Sequence, residues 1–111
     1  MVERCELAAK KVGESIEIID LRTISPWDRD AVLESVSRTR RCLIVHEDGI
    51  TAGFGAEVAA TVAEKAFFSL DAPVSRLAIP DVPVPHNFGL MDAVVPTVES
   101  IAARMTEVLE A

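Results

Sequence analysis

The stretch with the most potential for chemistry is HEDGITAGFGAEVAA, residues 46–60. His46 is one of only two histidines and stands next to the carboxylates Glu47 and Asp48, while Gly53 and Gly55 follow shortly afterwards. An imidazole at the end of a strand can serve as a general base, and glycines at the start of a helix can cradle a phosphate. The same residues can also form no more than a tight corner between a strand and a helix.

A phosphate cradle fits these residues poorly. The run from residue 53 to 58, GFGAEV, approaches the G-x-G-x-x-G/A fingerprint, but its third small position is Val58. Glu57 would occupy the first turn of the helix, where a bound anion would need the positive end of the dipole. No lysine completes a P-loop.

Metal binding and catalysis are also disfavoured. Consecutive residues of a strand point to opposite sides, so His46, Glu47 and Asp48 do not converge on one ion, and His86 is distant in sequence. No serine or cysteine nucleophile stands beside His46. We therefore assign no catalytic, cofactor-binding or metal-binding residue. We expect the following residues to fix the loop or an interface, the first two by hydrogen bonding: His46, Glu47, Gly53, Gly55 and His86.

Composition narrows the class of protein. The 111 residues, half of them apolar, predict one globular domain over residues 1–111. Eleven Lys and Arg against eighteen Asp and Glu give a net charge of −7, which disfavours nucleic acid and suits a basic protein partner. No apolar run approaches the roughly 18 residues of a membrane span, and the acidic N-terminus does not resemble a signal peptide. With Cys5 and Cys42 interpreted as reduced thiols, a cytoplasmic or mitochondrial matrix location is expected.

The periodicity of apolar residues predicts alternating helices and strands. Helices are expected at 3–12, from a Ser25–Asp28 capping box to about residue 40, at 55–68, and after a Thr97 cap; strands are expected at 15–21, 41–46 and 74–79. The proline-rich passage 80–96 is expected to be an irregular loop. This order predicts a three-layer α/β/α structure with a mainly parallel sheet. Five core residues should be nearly buried: Ile19, Leu43, Val45, Val62 and Leu77.

Four pieces of the sequence carry a family resemblance. They are EIIDLRTISPWD, SVSRTRRCLIVHED, AGFGAEVAATVAEKAFFSLDAPVSRLAIPDVPVPH and the amphipathic last helix. Together they resemble the transketolase C-terminal-like domain in the beta subunit of thiamine-dependent 2-oxo acid dehydrogenases. The resemblance covers almost all residues from about 15 to 110, and DLRTISPWD and GFGAEVAA are its most specific parts.

The resemblance implies an assembly role rather than catalysis. In that family, thiamine diphosphate is held by the alpha subunit and by the preceding pyrimidine-binding domain of the beta subunit, so the cofactor and its magnesium belong to the parent enzyme. The family domain stabilises a heterotetramer with the alpha subunit and a second beta subunit. It also offers a docking surface to the basic subunit-binding domain of the acyltransferase core. Further strands precede its first helix, so this chain is expected to be a fragment lacking the N-terminal strands.

The family's basic docking partner directs attention to acidic residues. Asp71, Asp81 and Glu110 are the candidates for partner binding, because loop ends and the chain terminus can converge on one edge of the domain. The motif DVPVPH resembles the branched-chain enzymes more than the pyruvate enzymes. Two alternatives stay open: a freestanding flavodoxin-like module for a small molecule, and the C-terminal domain of another thiamine enzyme, such as transketolase or deoxyxylulose phosphate synthase.

Overall fold

The computed structural model describes residues 1–83 and 88–111. His86, one of the candidate loop-fixing residues, lies outside the described residues. The elements in chain order are α1 (Val2–Val12), α2 (Arg29–Thr39), β1 (Leu43–Gly49), α3 (Phe54–Ala66), a short 3-10 helix (Phe67–Ser69), β2 (Ser75–Ile79), α4 (Phe88–Val94) and α5 (Val98–Glu110).

The two strands β1 and β2 form a parallel sheet. Val45 stands opposite Leu77, and the pairing becomes irregular before Gly49 meets Ile79. The predictions of strands near 41–46 and 74–79, and of their parallel pairing, are confirmed. The first of these strands runs three residues beyond His46, so the histidine lies inside β1 rather than at its end.

Helices cover the sheet on both faces. The side chains of β1 alternate in direction, so the strand packs against helices on each side. Leu43 and Val45 pack against the α1–α5 layer, around the fully buried Ala8 and Ile101. Ile44 packs on the opposite side, in a cluster that α2 and α3 form around Val62, Val36 and Trp27. The α/β/α layering is therefore confirmed.

The predicted strand at 15–21 is wrong. These residues follow α1 as an extended segment with no strand assignment, and no described strand pairs with them. The sequence has strand-like periodicity, but a strand also needs a neighbour to complete its hydrogen bonds. Ile19 is consequently 37% exposed, which contradicts its predicted burial. Val62 is fully buried as predicted, while Leu43, Val45 and Leu77 are only half-buried.

Local caps set the ends of the helices. Gly13 ends α1 in the left-handed conformation, and Thr97 caps α5 through a reciprocal pair of bonds with Ser100, both as predicted. The Ser25 cap is wrong: α2 begins at Arg29, and the Asp28 carboxylate accepts a hydrogen bond from the Ala31 amide at 3.1 Å. Asp28 takes the N-cap position because its carboxylate stands three residues before the Ala31 amide, which has no partner within the helix.

The proline-rich passage is not irregular throughout. It contains α4, a seven-residue helix that begins at Phe88 and ends at Val94, so the expectation of a continuous loop over 80–96 is wrong. The prolines of the sequence stand outside this helix, which leaves residues 88–94 free to form helical hydrogen bonds. In the described ranges, no helix combines the length and apolar character that crossing a bilayer requires.

Candidate functional site

A groove runs along the edge of β1 that does not face β2. The extended segment 15–22 and residues 41–47 both line this groove, which has a volume of about 590 Å³. Its lining includes apolar side chains such as Ile16, Ile18 and Val45, together with both thiols, Cys5 and Cys42. Within the described part of the chain, β1 therefore has one edge paired and one edge open to an apolar groove.

His46 lies on β1, against the start of α3. The packing is so close that a Cβ atom on Gly55 would stand 2.6 Å from His46 Cδ2, and one on Gly53 would stand 3.0 Å from His46 Cε1. Because real Cβ contacts are longer, only glycine fits at position 55 without a shift of the imidazole. His46, Gly53 and Gly55 thus form one corner, which we call the glycine corner.

The glycine corner is held differently from the expectation. Both ring nitrogens of His46 are inaccessible to solvent and make no hydrogen bond to any described residue, while Glu47 is exposed. The loop after β1 is fixed instead by Arg76, which donates to the Ile50 carbonyl at 2.5 Å, and by the Ile50 amide, which donates to the Ile79 carbonyl at 2.8 Å. His46 therefore acts on the corner through packing and not through hydrogen bonding.

Burial changes the acid–base properties of this region. Loss of hydration lowers the pKa of His46 below its ordinary value, an effect that Asp48 opposes and Arg76 reinforces. Burial also raises the pKa of the Cys42 thiol to about 11. The imidazole is therefore neutral and the thiol protonated near pH 7. Among the described residues, no group of three His, Cys, Asp or Glu side chains is placed to hold a metal ion.

A second surface lies at the opposite end of the sheet, where the strands begin. Phe67 and Phe68 are 62% and 94% exposed and touch each other edge to face, with ring centroids 5.3 Å apart. Asp71 follows one turn later, and its amide donates to the Arg40 carbonyl at 2.8 Å. An exposed aromatic pair next to a carboxylate is typical of a protein-binding surface, since isolated Phe side chains seldom stand so free of the core.

Arg41 brings the end of α5 to this surface. Its guanidinium donates to the Val108 carbonyl at 3.0 Å and to the Ala111 carbonyl at 3.1 Å, and it stands 4.0 Å from the Asp71 carboxylate. Ala111, and with it the end of α5 that carries Glu110, is therefore held near Asp71. We call the surface formed by Phe67, Phe68, Asp71, Glu110 and Ala111 the Asp71 edge.

Asp81 does not belong to the Asp71 edge. It follows β2, whereas Asp71 precedes it, and the five residues of the strand at about 3.3 Å each separate the two ends by roughly 16 Å. The Asp81 carboxylate accepts a hydrogen bond from Thr51 Oγ1 at 2.7 Å, in the loop beyond β1. Convergence of all three acids on one edge is therefore not found, although Asp71 and Glu110 do share one.

Several residues of these two sites were missed in the sequence. The helix predicted over residues 55–68 includes both Phe67 and Phe68. In the structure α3 ends at Ala66 and the chain tightens into a 3-10 turn, which turns both rings outward. Arg40, Arg41 and Arg76 act through contacts with residues at least 26 positions away, and no local pattern carries that information.

Comparison with known proteins gives a consistent family. The family model for the transketolase C-terminal domain matches residues 1–101. Over 88 residues the chain is 49% identical to 2-oxoisovalerate dehydrogenase subunit beta 2, mitochondrial, of Arabidopsis thaliana, a match that covers 79% of this chain and 25% of that protein. It is 38% identical over 109 residues to the pyruvate dehydrogenase E1 component subunit beta, mitochondrial, of Saccharomyces cerevisiae, which covers 97% of this chain and 30% of the relative.

A bacterial relative shows the same pattern. The 2-oxoisovalerate dehydrogenase subunit beta of Pseudomonas aeruginosa is 44% identical over 86 residues, covering 78% of this chain and 25% of that protein. The chain thus spans about a quarter of the length of the relatives it matches. Its layered fold, its sequence and the family model agree, and the chain belongs to the transketolase C-terminal domain family.

Proposed function

We propose that this chain is the C-terminal assembly and docking domain of the beta subunit of a 2-oxo acid dehydrogenase, and that the Asp71 edge binds the basic subunit-binding domain of the acyltransferase core. The observation that carries the proposal is the Phe67–Phe68 pair, exposed beside Asp71 and near Glu110. Relatives named as dehydrogenase beta subunits supply the parent enzyme.

The chemistry of the Asp71 edge suits a basic partner. The two rings offer apolar area that gains free energy when water is removed from it, while the carboxylates of Asp71 and Glu110 attract arginine and lysine side chains. A net charge of −7 extends this attraction beyond direct contact and raises the association rate at low salt. The aromatic pair would then supply most of the affinity. The acidic residues would orient the partner and raise the association rate.

The rest of the assembly follows from the parent enzyme. We propose that the parent decarboxylates a 2-oxo acid with thiamine diphosphate and magnesium bound between an alpha subunit and another part of the beta subunit. In this arrangement the present chain contributes no catalytic residue and packs against the alpha subunit and a second beta subunit. The relatives include branched-chain and pyruvate enzymes at comparable identity, so either substrate class is compatible. The location would be the bacterial cytoplasm or the mitochondrial matrix.

A substitution series tests the docking surface. In the full-length enzyme, Phe68→Ala and Asp71→Asn should each weaken binding of the subunit-binding domain, measured by titration calorimetry, because the first removes buried apolar area and the second an attractive charge. Decarboxylation, assayed with an artificial electron acceptor, should be unchanged. Asp81→Asn at the other end of the sheet is the matched control and should bind like the unmodified enzyme. Equal affinities for all four proteins would remove docking from the Asp71 edge.

A further inference from the structure

Asp71, the acid at the centre of the proposed docking surface, already has a cationic partner within the chain. The guanidinium Nε of Arg40 donates to Asp71 Oδ1 at 3.0 Å, and the Asp71 amide donates to the Arg40 carbonyl at 2.8 Å. Residues 40 and 71 are thus joined through both side chain and backbone. The pair is open to solvent, with the Arg40 side chain 47% exposed and that of Asp71 42% exposed.

The backbone conformation at position 40 does not favour an arginine. Arg40 follows α2 in the left-handed conformation, with φ of 68°, where its amide donates to the Val36 carbonyl. Glycine is the residue favoured there, since a side chain in this conformation approaches the following carbonyl. The long side chain at this strained position reaches Asp71, so the contact with Asp71 is what the arginine provides.

We propose that Arg40 is an internal counter-ion that masks Asp71, and that a basic partner must displace it in order to dock. This inference rests on the proposed function. An arginine or lysine of the partner would replace the Arg40 guanidinium at the same carboxylate, and Arg40 would swing into solvent. A neutral or acidic partner offers no such exchange, so the Arg40–Asp71 pair selects for cationic partners. The pair also weakens the binding of those partners, because the contact with Arg40 must first be broken.

The neighbouring charges leave Arg40 as the group to be exchanged. Arg41 also approaches Asp71, but at 4.0 Å, and its guanidinium is held by the carbonyls of Val108 and Ala111. Lys65 lies 3.8 Å from Glu64 on α3. Arg40 by contrast has its side-chain bond to Asp71 alone among the contacts of the described residues. Its displacement costs one exposed ion pair, whereas displacing Arg41 would also release the end of α5.

The test compares two variants that remove one positive charge each. Arg40→Gly suits the left-handed backbone and unmasks Asp71, while Arg38→Ala removes a similarly exposed arginine that pairs with Glu17 and Glu34 instead. Binding is measured at low salt with the full-length beta subunit assembled in its enzyme, and the acyltransferase subunit-binding domain is the probe. Arg40→Gly should bind about two- to fivefold more tightly, the range expected when one exposed ion pair no longer competes. Arg38→Ala should bind like the unmodified enzyme.

A double substitution separates this inference from the docking proposal. On an Asp71→Asn background, Arg40→Gly should bring no further tightening, because no masked carboxylate remains. Weaker or unchanged binding by Arg40→Gly, or equal tightening by Arg38→Ala, overturns the masking role even if Asp71→Asn shows that docking uses Asp71. If Asp71→Asn itself leaves binding unchanged, the partner does not use the Asp71 carboxylate and the masking role fails; docking at the Asp71 edge fails as well if Phe68→Ala also leaves binding unchanged.

Discussion

Replacing Gly55 with alanine should destabilise the protein, because the new methyl group would overlap the imidazole of His46. The Cβ atom would stand 2.6 Å from His46 Cδ2, well inside contact distance, and the imidazole belongs to a strand that is packed on both faces. Inserting a methyl group into packed space costs about 1–3 kcal/mol. Alanine is the better helix former by up to about 1 kcal/mol, which offsets part of that cost near the start of α3. A net loss of roughly 1–2 kcal/mol is expected.

The assay is urea unfolding followed by circular dichroism, with Gly49→Ala as the matched control. A Cβ atom at position 49 would meet its nearest neighbour, the Thr51 carbonyl oxygen, at an ordinary 3.6 Å. The control should therefore change the free energy of unfolding by less than about 0.5 kcal/mol. In thermal unfolding, Gly55→Ala should lower the midpoint by several degrees, since each kcal/mol corresponds to about 4 °C in a chain of this size.

A double-mutant cycle identifies the source of the loss. His46→Ala removes the ring that the alanine at position 55 would meet, so the cost of Gly55→Ala should largely disappear on that background. If Gly55→Ala were as stable as the unmodified protein, or if its cost persisted without the imidazole, the steric account of the glycine corner would be refuted.

Three further outcomes are expected. The stability of the protein should fall as the pH drops from about 6.5 towards 5, because His46 has a lowered pKa in the folded state and the unfolded chain binds the proton more tightly; this part of the slope should vanish in His46→Ala unfolding curves. In a Cys5→Ser background, Cys42 should react with iodoacetamide at pH 8 about 100-fold more slowly in the folded protein than in urea, since its pKa of about 11 leaves little thiolate; equal rates would show an open, unperturbed thiol. The 111-residue chain alone should not bind thiamine diphosphate with magnesium in calorimetry, and micromolar binding would contradict the assignment of the cofactor to other parts of the parent enzyme.

Periodic apolar residues were sufficient to predict most of the architecture. The stripes of α3 and α5 bury their side chains, and the apolar run into β1 becomes half-buried, so the positions of these elements followed from local sequence. The segment 15–21 has equally strand-like letters, but strand formation depends on a neighbour, and no property of residues 15–21 reveals whether one is present. The exposure of Ile19 has the same cause.

The two candidate sites differ in how much of each could be predicted from the sequence. The glycine corner could be predicted because His46, Gly53 and Gly55 are close in sequence, although the structure shows packing in place of the expected hydrogen bonds. The Asp71 edge could be predicted only in part. The family resemblance implied a basic docking partner, and acidic residues were therefore the candidates. The contact of Asp71 with Arg40 spans 31 positions, and the separation of Asp81 from Asp71 required the direction of β2.

Site-specific photo-crosslinking tests the docking role of the Asp71 edge most directly. A photoreactive phenylalanine analogue replaces Phe68 in the full-length enzyme, and a second enzyme carries it in place of Thr51, which lies beside Asp81 at the other end of the sheet. With the acyltransferase subunit-binding domain present, illumination should join the domain to position 68 and leave position 51 unlinked. Crosslinking from position 51 alone, or from neither position while the domain is bound, would contradict the assignment of docking to the Asp71 edge.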